Sequence, residues 1–105
     1  MNNIKLSIFT GLQDTDIIDL GLYNPSLEGV IEVALGFKLS DTEGSPTPAD
    51  TMSAYIATGL SDMNANLDKY KVFHTADLLA AQDYLNKLKI ACDTYPACTV
   101  KIEII

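Results

Sequence analysis

Residues 75–92 read TADLLAAQDYLNKLKIAC, and this stretch decides the fold class. At helical spacing Leu78, Ala81, Leu85, Leu88 and Cys92 fall within about 80° of one another, a single apolar stripe along roughly 27 Å of helix. Thr75 stands where an N-cap belongs, and Asp77 places a negative charge in the first turn. Asp83 and Lys87 form an i,i+4 pair opposite the stripe, and Pro96 stops the helix.

The segments on either side supply the layer this stripe must bury against. Downstream, Val100, Ile102 and Ile104 alternate within residues 98–105, and at the start of the chain Ile4, Leu6 and Ile8 alternate with Lys5 and Ser7. Both are the period-2 pattern of a strand with one buried face. Gly11 is expected to end the first. Ile31, Val33, Leu35, Phe37 and Leu39 extend the same alternation through residues 30–39, and Tyr70 and Val72 mark a short strand over residues 67–73. Residues 12–29, rich in Asp and Gly around Ile17, Ile18, Leu20, Leu22 and Tyr23, read as a long connection folded over the core. Gly44, Pro46 and Pro48 make residues 40–50 an exposed loop. Residues 48–58 fit both periods, since Met52, Tyr55, Ile56 and Gly59 are helically spaced whereas Ala54, Ile56 and Thr58 alternate.

The expected fold is therefore α+β: one domain over residues 1–105, with a mainly antiparallel sheet of about four to five strands packed on one long C-terminal helix (75–92). One long helix cannot cover both faces of a parallel sheet. The first and last strands are expected to be neighbours.

A chain of 105 residues, 48% apolar and 20% charged, is long enough to build its own core. Its net charge of −7 comes from a shortage of cations, because seven lysines and no arginine face fourteen acids. Direct nucleic-acid binding is thereby disfavoured, since it depends on cations that neutralise phosphates. The imbalance is confined to residues 1–68, where ten acids meet only Lys5 and Lys38, a net of −8; residues 69–105 carry +1. No apolar run approaches the ~20 residues of a membrane span, and Met1 to Lys5 lacks the pattern of a secretory leader. Localisation in the cytoplasm, or inside a host cell, is the expectation.

Chemistry is approached by elimination. His74 is the single histidine, and it precedes the helix that Cys92 closes, so helix length alone separates imidazole from thiol by about 27 Å. Cys98 begins the strand after the same helix end. Two buried free thiols are expected, with a Cys92–Cys98 bridge as the alternative. Asp14, Asp16 and Asp19 loosely resemble the start of a calcium loop but lack its glycine and terminal glutamate, so they read as turn-forming residues. No glycine-rich loop opens a helix after a strand. No catalytic, cofactor-binding or metal-binding residue is assigned.

A non-enzymatic protein-binding domain is thus expected, with a basic protein as partner and no membrane. By analogy of size and charge alone, it resembles small acidic phage or mobile-element inhibitors that occupy a basic surface of a host defence or nucleic-acid-processing complex. The alternatives are a self-associating assembly protein, hence a homo-oligomer, or a small-molecule binder. The candidate partner surface comprises Leu79, Asp83, Asn86 and Ile90 on the outer side of the helix, with Asp41, Glu43 and Asp50 from the acidic loop. Leu79 and Ile90 lie only about 20° apart and far from the main stripe, so either the 17–23 connection folds back over them, the expected arrangement, or they form the apolar centre of a partner or self-association surface.

Overall fold

The computed structural model describes residues 2–10 and 13–105, with side chains from residue 16 onward in the second stretch. The expected end of the first strand at Gly11 lies outside these residues, as does the Asp14 side chain. Alternation at the start of the chain gives strand β1 (Asn3–Thr10), in which Ile4, Leu6 and Ile8 are buried on one face. Within residues 13–22, which were expected to be a connection, the chain instead forms a second strand, β2 (Gln13–Leu22), antiparallel to β1. Its aspartates and glycine imitate turn chemistry because β2 is the outermost strand, where charged residues are common. Register shifts between Ile4 and Lys5 and between Ile8 and Phe9 break its simple alternation, while Leu20 reaches the core at 1% exposure. Two backbone N–H groups of this strand are taken by carboxylates of its own: Ile17 donates to Asp16 Oδ1 and Gly21 to Asp19 Oδ1, both at 2.8 Å.

The expected strand over residues 30–39 is also corrected, because Ser26–Leu35 is a helix, α1. Leu27, Val30, Ile31 and Ala34 recur at offsets of three, four and seven and are all buried, so the helical period wins over the alternating one. Asn24 Oδ1 accepts hydrogen bonds from the Ser26 N–H and hydroxyl at its start. Gly36 ends it at φ 89°, a left-handed conformation that suits glycine, and donates its N–H to the Glu32 carbonyl. Glu28, 5% exposed, then fixes the chain that follows: Oε1 accepts the Leu39 N–H, and Oε2 accepts the Ser40 N–H and the Tyr23 hydroxyl.

A 3-10 turn (Leu39–Thr42) and a two-residue strand β3 (Thr47–Pro48) lead into helix α2 (Ala49–Ala65), which resolves the ambiguity at residues 48–58. The strand expected at residues 67–73 is a 3-10 turn (Leu67–Tyr70): only Tyr70 is buried, whereas Leu67 and Val72 face solvent. Helix α3 (Thr75–Thr94) matches the expected C-terminal helix and runs two residues further. Its cap position is occupied by His74, whose carbonyl accepts the Leu78 N–H, so Thr75 is the first helical residue rather than the cap.

Strand β4 (Thr99–Ile104) closes the sheet in the order β2-β1-β4-β3, antiparallel throughout its named strand pairs, with first and last strands adjacent as expected. The fold is α+β, with four strands and three helices among the described residues rather than one dominant helix. Ile4, Leu6, Ile8, Leu20, Val100 and Ile102 form the sheet's half of the core, and Ile31, Ile56, Leu85 and Leu88 belong to the helical half. Gly59 lets α1 and α2 approach: a Cβ there would lie 3.2 Å from the Ala34 carbonyl oxygen and still closer to Leu35.

Candidate interaction surface

Helix α3 turns Ala81, Tyr84, Leu85, Leu88, Ala91 and Cys92 into the core, which leaves the opposite side of the helix facing outward. Leu79 and Ile90 are 61% and 66% exposed, and Asp83 and Asn86 lie exposed between them. The expectation that the 17–23 segment covers Leu79 and Ile90 is overturned. That segment is committed to β2, and its own Ile17 and Leu22 are more than half exposed.

Helix α3 lies beside the start of α1 and the edge strand β2. The Ser26 hydroxyl of α1 meets Asp77 at 3.3 Å near the start of α3, and the Tyr84 ring in its middle covers Gly21 of β2. Near its end, Ile90, Ala91 and Tyr95 line a cleft of about 330 Å³ with Ile18. Asp16, Lys87 and Thr94 form the cleft's polar rim. A second cleft of about 300 Å³ separates the end of α2 from the start of α3, lined by Met63, Tyr70, Phe73 and Leu78.

The loop acids stand elsewhere. Asp41 Oδ2 accepts the Lys38 N–H, Asp50 Oδ1 accepts the Thr51 N–H, and Glu43 Oε2 accepts the Ile104 N–H of β4. They gather at the β4–β3 side of the sheet, across from β2. The seven candidate residues therefore make two surfaces, Leu79, Asp83, Asn86 and Ile90 on one and Asp41, Glu43 and Asp50 on the other.

Pairing of the lysines sharpens the charge of what remains. Lys69, Lys71, Lys87, Lys89 and Lys101 sit within 3.1 Å of Asp62, Asp68, Asp83, Asp93 and Glu103 respectively. Asp16, Asp19, Glu32, Asp41, Glu43 and Asp50 are exposed and stand outside these ion pairs. Hydrogen bonds from the Gly21 N–H and the Asn3 amide hold Asp19 below its ordinary pKa, so it keeps its charge.

The groups considered for chemistry stay dispersed. His74 is exposed at the start of α3, and Cys92 is buried near its end. Both cysteines are free thiols, but Cys98 is only half-buried, which corrects the expectation of two buried ones. Burial, reinforced by the neighbouring Asp93 charge, pushes the Cys92 thiol up to about 11, away from the thiolate a nucleophile requires. Among the described residues no three His, Cys, Asp or Glu side chains are placed to hold a metal ion, and no helix is long and apolar enough to cross a membrane.

Sequence reasoning missed the β2 flank of this surface. Its only signal was Ile17-Ile18 and Leu20 among aspartates, which an edge strand and an acidic loop share. Comparison of the chain with protein-family models, curated proteins and solved structures finds no match.

Proposed function

We propose that the chain is a protein-binding domain without chemistry of its own, which docks on a basic surface of its partner. The observation that carries this reading is the distribution of charge. Five lysines are engaged by neighbouring acids, while six other exposed acids stand outside those pairs. Asp41, Glu43 and Asp50 are held by backbone hydrogen bonds, so they meet a partner with little side-chain freedom left to lose. A host complex that binds nucleic acid through such a basic surface would lose that surface to the domain, which is how an inhibitor of this kind would act.

The experiment is capture of partners from lysate of the native host, followed by binding measurements between about 0.05 and 0.5 M salt. Affinity should fall as salt rises, and an Asp41→Asn, Glu43→Gln, Asp50→Asn variant should bind more weakly without losing its fold. Affinity indifferent both to salt and to these substitutions would overturn the reading. So would a catalytic turnover that disappears in His74→Ala.

A further inference from the structure

We propose that the outer face of α3 is a self-association surface, on which a second copy of the chain docks antiparallel. Leu79, Asp83, Asn86 and Ile90 are spaced by four, three and four residues, which places them within about 60° of one another along about 16 Å of helix. This is the spacing of a helix–helix seam. All four are exposed.

The order along the seam is apolar, polar, polar, apolar, and so it has a property that a stripe facing an unrelated partner would not need. A two-fold axis between positions 83 and 86 sets Leu79 of one copy against Ile90 of the other, and Asp83 against Asn86. Each pair is chemically matched: two aliphatic side chains meet at both ends, and an amide donor meets a carboxylate acceptor twice in the middle. Such self-complementarity is what an isologous contact requires. Leu79 of one copy also arrives beside Ile90 of the other, at the mouth of the cleft lined by Ile18, Ala91 and Tyr95.

Charge opposes association weakly at this face. Helix α3 carries three aspartates and two lysines, a net of −1 in a chain of −7, and two of those aspartates are paired with the lysines. The Asp83–Lys87 pair, 3.0 Å apart and about half exposed, leaves the centre of the face neutral. A copy adding to the β2 edge would instead bring aspartates together and displace the carboxylates bound to the Ile17 and Gly21 N–H groups. The polar rows at the centre of the seam favour a weak, reversible dimer over an obligate one.

Sedimentation from about 10 µM to about 1 mM should show a monomer–dimer equilibrium that tightens as salt rises, because screening relieves repulsion between two acidic copies. A Leu79→Asp, Ile90→Asp variant should raise the dissociation constant at least about tenfold. Leu79→Ser, Ile90→Ser serves the same purpose should the acidic variant unfold. In a Cys98→Ser background, a mixture of Asp83→Cys and Asn86→Cys chains should form mixed disulfides in preference to like-with-like ones. A monomer at every concentration, a dimer indifferent to both double variants, or exclusively like-with-like disulfides would each overturn the proposal. Loss of the basic partner's binding in the Asp41, Glu43, Asp50 variant tests the proposed function separately.

Discussion

Asp62 is a meeting point for the end of α2 and the turn that follows it. Its carboxylate accepts hydrogen bonds from Lys69 Nζ at 2.8 Å, from the Tyr70 hydroxyl and from the Asn66 amide. Lys69, then Tyr70 and Asn66, hold Asp62 down at about 2, against an ordinary 3.8. The Tyr70 hydroxyl is pushed upward by burial and by Asp62. A carboxylate with a depressed folded-state pKa stabilises fully above its unfolded value and loses that contribution as pH falls through the folded one. Asp62 therefore supports the fold above about pH 4 and ceases to do so toward pH 2. Thermal unfolding of Asp62→Asn beside the parent chain should show a gap in midpoint at neutral pH that narrows across this window. A gap constant with pH would assign the loss to geometry rather than to charge. In the sequence Asp62 is one aspartate among several, and so is the buried Glu28 among the glutamates. Both act on groups brought near by the fold, which periodicity does not reveal.

At the level of elements, the legible parts were those with one consistent pattern. The stripe of α3 and the alternation of β1 and β4 each bury one face against a single layer, and each was read correctly with its neighbour relations. Residues 30–39 misled because Ile31, Val33 and Leu35 satisfy a period of two. Leu27, Val30, Ile31 and Ala34 satisfy the helical one, and the decisive signals are flanking ones, Asn24-Pro25-Ser26 before and Gly36 after. β2 was unreadable for a different reason: as an edge strand with register shifts it has neither clean alternation nor an apolar run. Gly59 belongs to this scale too. The missing Cβ lets α2 come against Ala34 and Leu35, an approach that the apolar spacing of neither helix announces. Gly59→Val should force α1 away from α2 and lower stability by about 1–3 kcal/mol, in spite of valine's better helix propensity. Chemical denaturation checks this; a variant as stable as the parent would mean that the two helices separate at little cost.

For the molecule as a whole, candidate residues can be nominated from the sequence, but their arrangement cannot. Leu79, Asp83, Asn86 and Ile90 share a helix, so their common face follows from spacing alone. That Asp41, Glu43 and Asp50 lie across the sheet from them depends on strand order, which no local pattern encodes. The two proposed contacts should answer salt in opposite senses, one weakening and the other tightening, so a single salt series would tell which is in use. The carboxylates of Asp16 and Asp19 carry a further consequence. By occupying the N–H groups of Ile17 and Gly21, they deny a passing extended chain the hydrogen bonds with which it would lengthen the sheet. Removing both, in Asp16→Ala, Asp19→Ala, should leave the core intact yet convert a quiet rim into a template for growth. Light scattering and the infrared signature of intermolecular strands should then rise with time at neutral pH in the variant alone. If the variant stays as clear as the parent, the short reach of an aspartate is not what keeps these molecules apart in a crowded cell.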